Sequence, residues 1–77
     1  MPKWTPCKRA DSVRRMRQLG LAGLYSGAKH PFMVHDQHRL TIPTNAEFSK
    51  PQLRMLLHEV EAILGREVTL DEWLNLD

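Results

Sequence analysis

Apolar residues recur at helical spacing in two stretches of this chain, and between them the pattern breaks into short alternating runs. From Cys7 or Lys8 to about Leu19, residues Ala10, Val13, Met16 and Leu19 fall on one side of a helix. Arg14, Arg15 and Arg17 lie away from that stripe or along its edge. Gly20 stands where a left-handed helix stop is favoured. Three short strands are expected next, at roughly Gly23 to Ser26, His30 to His35 and Arg39 to Pro43, with Asp36-Gln37 at the tip of the second hairpin. Alternation along the strands places Phe32 and Val34 on one face, meeting Leu40 and Ile42. Lys29, Met33, His35, Arg39 and Thr41 are expected on the other face, which stays open. Pro43, with no N–H to give, ends the ladder.

Thr44 to Phe48 reads as a loop. Ser49-Lys50-Pro51-Gln52 then has the form of a capping box with proline in the first turn, opening a second helix. Leu53, Leu56, Leu57, Val60, Ile63 and Leu64 give that helix a broad apolar face, and Gly65 closes it. Thr69-Leu70-Asp71-Glu72 is a second capping box, starting a short C-terminal turn that buries Leu70, Trp73 and Leu74. The order helix, three-stranded antiparallel meander, helix predicts an α+β two-layer sandwich. One sheet face would pack on both helices, as in double-stranded-RNA-binding domains. Fold alone assigns no function.

The chain has 77 residues, so one domain, residues 1–77, is expected. A domain of this size buries only about 60% of its unfolded surface, which disfavours a deep substrate pocket. Hydrophobic residues at 42% and charged residues at 26% describe a folded domain rather than a disordered one. The net charge of +2 hides a division. Residues 1–40 carry eight Lys/Arg against Asp11 and Asp36, and residues 41–77 carry three against seven acids. A basic half suits a polyanion, and an acidic half suits a basic partner. Cys7 is the single cysteine, so no intrachain disulfide forms. No apolar run approaches the roughly 20 residues of a membrane span, and no signal-peptide core is evident, so a cytoplasmic protein is expected.

The candidate chemistry is concentrated in Gly27-Ala28-Lys29-His30-Pro31-Phe32, where a glycine turn carries a Lys-His pair into a strand. Histidine, with an ordinary pKa of about 6.5, suits a general base that takes the proton from an RNA 2′-hydroxyl. A lysine beside it suits stabilisation of the negative phosphorane that follows. Lys8, Arg9, Arg14, Arg15, Arg17 and Arg39 are the candidate phosphate-binding residues. Trp4 and Trp73 read as edge packing rather than stacking surfaces, because no aromatic cluster surrounds them. His30, His35, His38 and Asp36 lack the spacing of a zinc site, and neither a metal nor another cofactor is expected.

These motifs resemble the HicA (YcfA-like) toxins of bacterial type II toxin–antitoxin systems. The resemblance spans roughly residues 7 to 65. It rests on Leu19-Gly20-Leu21, Gly27-Ala28-Lys29-His30-Pro31-Phe32, Leu40-Thr41-Ile42-Pro43 and Leu53-Arg54-Met55-Leu56-Leu57, in that order. It implies a double-stranded-RNA-binding-like fold and a metal-independent endonuclease acting on single-stranded mRNA through one catalytic histidine. It also implies a HicB-like antitoxin as partner to a toxin that is monomeric when free. The family usually carries Gly-Ser-His, with an aromatic residue three positions after the histidine. Alignment on Gly27 and Phe32 without a gap puts Ala28 on the serine, Lys29 on the catalytic histidine and His30 next to it. Asn45 stands where a histidine commonly follows the family's proline. Two readings follow from the resemblance, beside a third in which the chain is an unrelated small interaction protein. In one, His30 is the general base, aimed by a bulge beside Gly27, and Lys29 assists. In the other, the chain is a catalytically inactive RNA-binding or antitoxin-docking module.

Overall fold

A computed structural model describes residues 3–76. The elements run β1 (Cys7–Lys8), α1 (Arg9–Leu19), β2 (Ala22–Tyr25), β3 (Phe32–His35), β4 (His38–Thr41), β5 (Glu47–Phe48), α2 (Lys50–Leu64) and α3 (Leu70–Leu74). The fold is α+β, with a three-stranded antiparallel sheet in the order β2-β3-β4 and a two-stranded sheet of β1 and β5. Among the described residues no helix is long and apolar enough to cross a membrane.

The helices form where the periodicity predicts them. In α1, Val13, Met16 and Leu19 are buried and Gly20 ends the helix at φ 117°. Ala10 is exposed, so the stripe is narrower than expected. In α2, Leu53, Leu56, Leu57 and Val60 are buried, while Ile63 and Leu64 are only partly covered. Both capping boxes are half formed. The Ser49 hydroxyl accepts from the Gln52 amide at 3.3 Å, but the Gln52 side chain pairs with Asn45 rather than returning to the cap. The Thr69 hydroxyl accepts from the Glu72 amide at 3.2 Å, and the Glu72 carboxylate turns instead to Arg66.

The facing of β3 differs from the sequence expectation. The register pairs Phe32 with Thr41, Met33 with Leu40, Val34 with Arg39 and His35 with His38. Directly opposed residues share a face, so Met33 joins Leu40 inward, and Phe32 and Val34 turn outward. Met33, Leu40 and Ile42 are essentially inaccessible, in one core with Leu21 and the apolar faces of α1 and α2. His35 also points inward, and its Nδ1 donates to the Gly20 carbonyl at the end of α1, at 3.1 Å. A helix C-terminus favours such a donor.

The stretch expected to be a loop at 44–48 holds β5. It pairs with β1 through Cys7–Phe48 and Lys8–Glu47, and it carries Phe48 into the core at 0% exposure. After α2, the Glu61 carboxylate accepts from the Val68 amide at 2.8 Å, bringing Val68 and then Trp73 against the core. Trp73 is thus buried, as expected of the C-terminal turn, and lies in the core itself, whereas Leu74 is exposed rather than buried.

Arg66 locks this return with two parallel bonds to Glu72, at 2.8 and 2.9 Å. The hydrogen bond from Arg66 holds the Glu72 carboxyl below the usual glutamate range. A carboxyl depressed in the folded state stabilises above its unfolded pKa, about 4.3 for glutamate, and that stabilisation is lost as pH falls through the folded value. Carbon-detected NMR titration is expected to place Glu72 below an ordinary glutamate and to return it to the ordinary range in Arg66→Gln. A Glu72 titration that ignores Arg66→Gln would show that the pair does not persist in solution.

Candidate functional site

Residues 26–31 connect β2 to β3, and Gly27 determines their path. A Cβ at position 27 would lie 2.3 Å from the His30 carbonyl oxygen and 3.2 Å from Cδ1 of Phe32. Only a residue without a side chain allows this close return of the chain. The far end of the loop is pinned by the Pro31 carbonyl, which accepts from the Ile42 amide at 3.0 Å. Lys29 and His30 are both exposed within this bend. The sequence predicts His30 inside the strand, but β3 starts at Phe32. The rule that would put His30 on the face of Phe32 therefore does not apply to it.

An irregularity does occur, but in β2 rather than beside Gly27. Ala22 pairs with Val34 and Tyr25 with Phe32, so β2 advances three residues while β3 advances two. The extra residue inverts the alternation. Leu24 packs toward the core, and Tyr25 emerges on the outer face, 48% exposed. There Tyr25 meets Phe32, with ring centroids 5.8 Å apart and planes tilted by 44°. The Arg39 guanidinium covers Phe32 at 4.1 Å from the ring centroid. An exposed contact of this kind contributes about 0.5–1 kcal/mol. Ala22, Tyr25, Phe32, Val34, Arg39 and Thr41 thus share one face, and none of them is acidic.

The six candidate phosphate-binding residues make separate contacts. Arg17 reaches from α1 to the β2 bulge, its Nε donating to the Gly23 carbonyl. A Cβ at Gly23 would lie 3.3 Å from the Tyr25 ring, so Arg17 anchors beside the tyrosine. Arg17 therefore reaches the β2 edge of the sheet, while Arg39 lies on its outer face. Arg9 donates through Nε to the Pro43 carbonyl at 2.7 Å. Arg14 pairs with Asp11 at 2.8 Å on the exposed side of α1. Arg15 lies over the Trp73 ring at 5.3 Å. Lys8 and Arg15 line a groove of about 310 Å³ with Trp4, Asp11, Glu47 and Trp73. That groove includes neither Lys29 nor His30, and Asp11 and Glu47 offset all but one of the charges of Lys3, Lys8 and Arg15.

His35 and His38 oppose each other at the second hairpin, and Asp36 turns the chain there with φ 53°. Among the described residues no group of three or more His, Cys, Asp or Glu is placed to hold a metal. Tyr25 and Phe32 are not legible in the sequence as surface groups: the alternation expected for β3 puts Phe32 inward, and Tyr25 depends on a bulge whose only local signal is Gly23.

No family model matches this chain, and comparison with characterised proteins and with solved structures finds no match either.

Proposed function

We propose that this chain is a metal-independent RNA endonuclease of the HicA kind, built as a two-layer sandwich resembling a double-stranded-RNA-binding domain. The observation that carries the reading is the glycine-pinned loop. It holds Lys29 and His30 exposed at the border of a sheet face that, among the described residues, bears Arg39 and two aromatic rings but no acid. The His30 imidazole takes the proton from a 2′-hydroxyl, and the freed oxygen attacks the adjacent phosphorus. Lys29 offsets the charge on the phosphorane. The P–O5′ bond breaks, the 5′-oxygen takes a proton from water, the hydroxide so formed takes back the proton held on His30, and a 2′,3′-cyclic phosphate remains. An exposed site fits a single-stranded mRNA better than a small metabolite. In this reading the chain is a cytoplasmic monomer when free, held inactive by a HicB-like antitoxin.

The test is incubation of end-labelled mRNA with purified protein in EDTA. Cleavage with 2′,3′-cyclic phosphate and 5′-hydroxyl ends is the expected result. Cleavage that appears only with a divalent ion sinks the mechanism. A second reading, a non-catalytic RNA-binding or antitoxin-docking module, is favoured by the lysine at position 29 where the family carries its histidine. Tight RNA binding by a folded protein that leaves the RNA intact would select it.

A further inference from the structure

We infer that the outer face of the three-stranded sheet is a base-stacking platform for single-stranded RNA. One unpaired base lies on the Tyr25 ring, and a neighbouring base lies on the Arg39 guanidinium that covers Phe32. The inference rests on the RNA reading above, but not on cleavage.

Three observations support it. First, the face presents flat groups: a tyrosine ring 48% exposed, a phenylalanine ring 5.8 Å from it, and a guanidinium seated on the second ring. Aromatic rings and arginine planes are what unstacked bases pack on, and a duplex keeps its base faces hidden from them. Second, the charge suits a polyanion rather than an acid-matching protein surface. Arg39 lies within the face, Arg17 is anchored at its edge through the Gly23 carbonyl, and no carboxylate is among the outward residues. Third, the platform adjoins the candidate chemistry. The Gly27 turn packs against the Phe32 ring, so the loop carrying Lys29 and His30 borders the rings. A base held on Tyr25 brings the adjoining phosphate to that loop and determines which 2′-hydroxyl it meets. Because every base has a π-face, the platform selects for single strands more than for sequence.

Tyr25 is the only tyrosine in the chain, so its ring signals are unambiguous in NMR. The experiment titrates labelled protein with a 2′-O-methyl oligonucleotide, which cannot undergo cyclising cleavage. The same oligonucleotide annealed to its complement and an abasic oligomer of equal length serve as comparisons. The expected result is upfield movement of the Tyr25 ring signals with the single strand alone. Tyr25→Leu should weaken binding about tenfold, the order expected for one lost base stack, with the salt dependence unchanged. Arg39→Lys keeps the charge and should still weaken binding several-fold. Circular dichroism checks that both variants fold.

If the abasic oligomer binds as tightly as the RNA, or Tyr25→Leu has no effect while unmodified RNA is still cleaved, the platform is refuted and the nuclease reading stands. If the folded protein binds no RNA at any salt, both are refuted. Tyr25 signals that move with a HicB-like protein and not with RNA would also overturn the platform, reassigning the face to protein.

Discussion

Under the nuclease proposal, alanine at His30 is expected to lower RNA cleavage by about a hundredfold or more, the loss that accompanies removal of a general base, and to leave the fold unchanged. The two effects separate because the His30 side chain is exposed, while the close approach at Gly27 involves its backbone carbonyl. An exposed substitution of this kind alters stability by no more than about 0.5 kcal/mol. Lys29→Ala is expected to be milder, roughly tenfold. A flexible exposed cation contributes less than a preorganised donor, whose loss costs about a hundredfold or more. Initial rates on labelled RNA in EDTA, with circular dichroism melts of each variant, measure both. If His30→Ala cleaves at the wild-type rate and Lys29→Ala does not cleave, the base is at position 29, where the family alignment without a gap puts the histidine. The mechanism proposed above would then be wrong in its central residue.

The helices were legible because each carries its own periodicity and its own stop. Gly20 and Gly65 adopt the left-handed caps read from their positions, and Ser49 and Thr69 accept the amides three residues on. Strand facing is a different kind of information. Phe32, Met33 and Val34 are three consecutive apolar residues, so alternation alone cannot choose between its two phases. The choice was nevertheless implicit in the turn. With Asp36-Gln37 as a two-residue tip, His35 must oppose His38 and Met33 must oppose Leu40. Since opposed residues share a face, a buried Leu40 requires a buried Met33. Phe32 faces outward because the register set by this two-residue turn outranks its hydrophobicity.

β5 was beyond such reasoning. A strand of two residues has no period, and Phe48 is drawn inward by its pairing with Cys7, some forty positions away. The candidate site divides in the same way. Lys29 and His30 belong to a local motif and could be read from it. Their neighbourhood with Tyr25 and Arg39, through the Phe32 ring, depends on the β2 bulge and the strand register, which are tertiary facts.

The second large effect is on stability, at Trp73. Its indole is 2% exposed and sits in the core with Val68, with the Arg15 guanidinium over its ring. Truncation of a buried tryptophan to alanine costs about 3–5 kcal/mol. A core in a chain below about 80 residues seldom supplies more than about 3–5 kcal/mol of net stability. Trp73→Ala is therefore expected to leave the protein largely unfolded at room temperature, although the residue lies in a five-residue helix near the chain's end. Trp73→Phe keeps an aromatic ring in the same space and should retain a cooperative transition at lower denaturant. Urea titration followed by far-ultraviolet circular dichroism measures the series. A loss below about 1 kcal/mol, the range of ordinary surface changes, would mean that α3 is not part of the folded unit. The Arg66–Glu72 and Glu61–Val68 bonds that bring it back to the core would then count for nothing in solution. A loss of the expected size would make the last turn of the chain a structural element of the domain, equal in weight to the central leucines of α2.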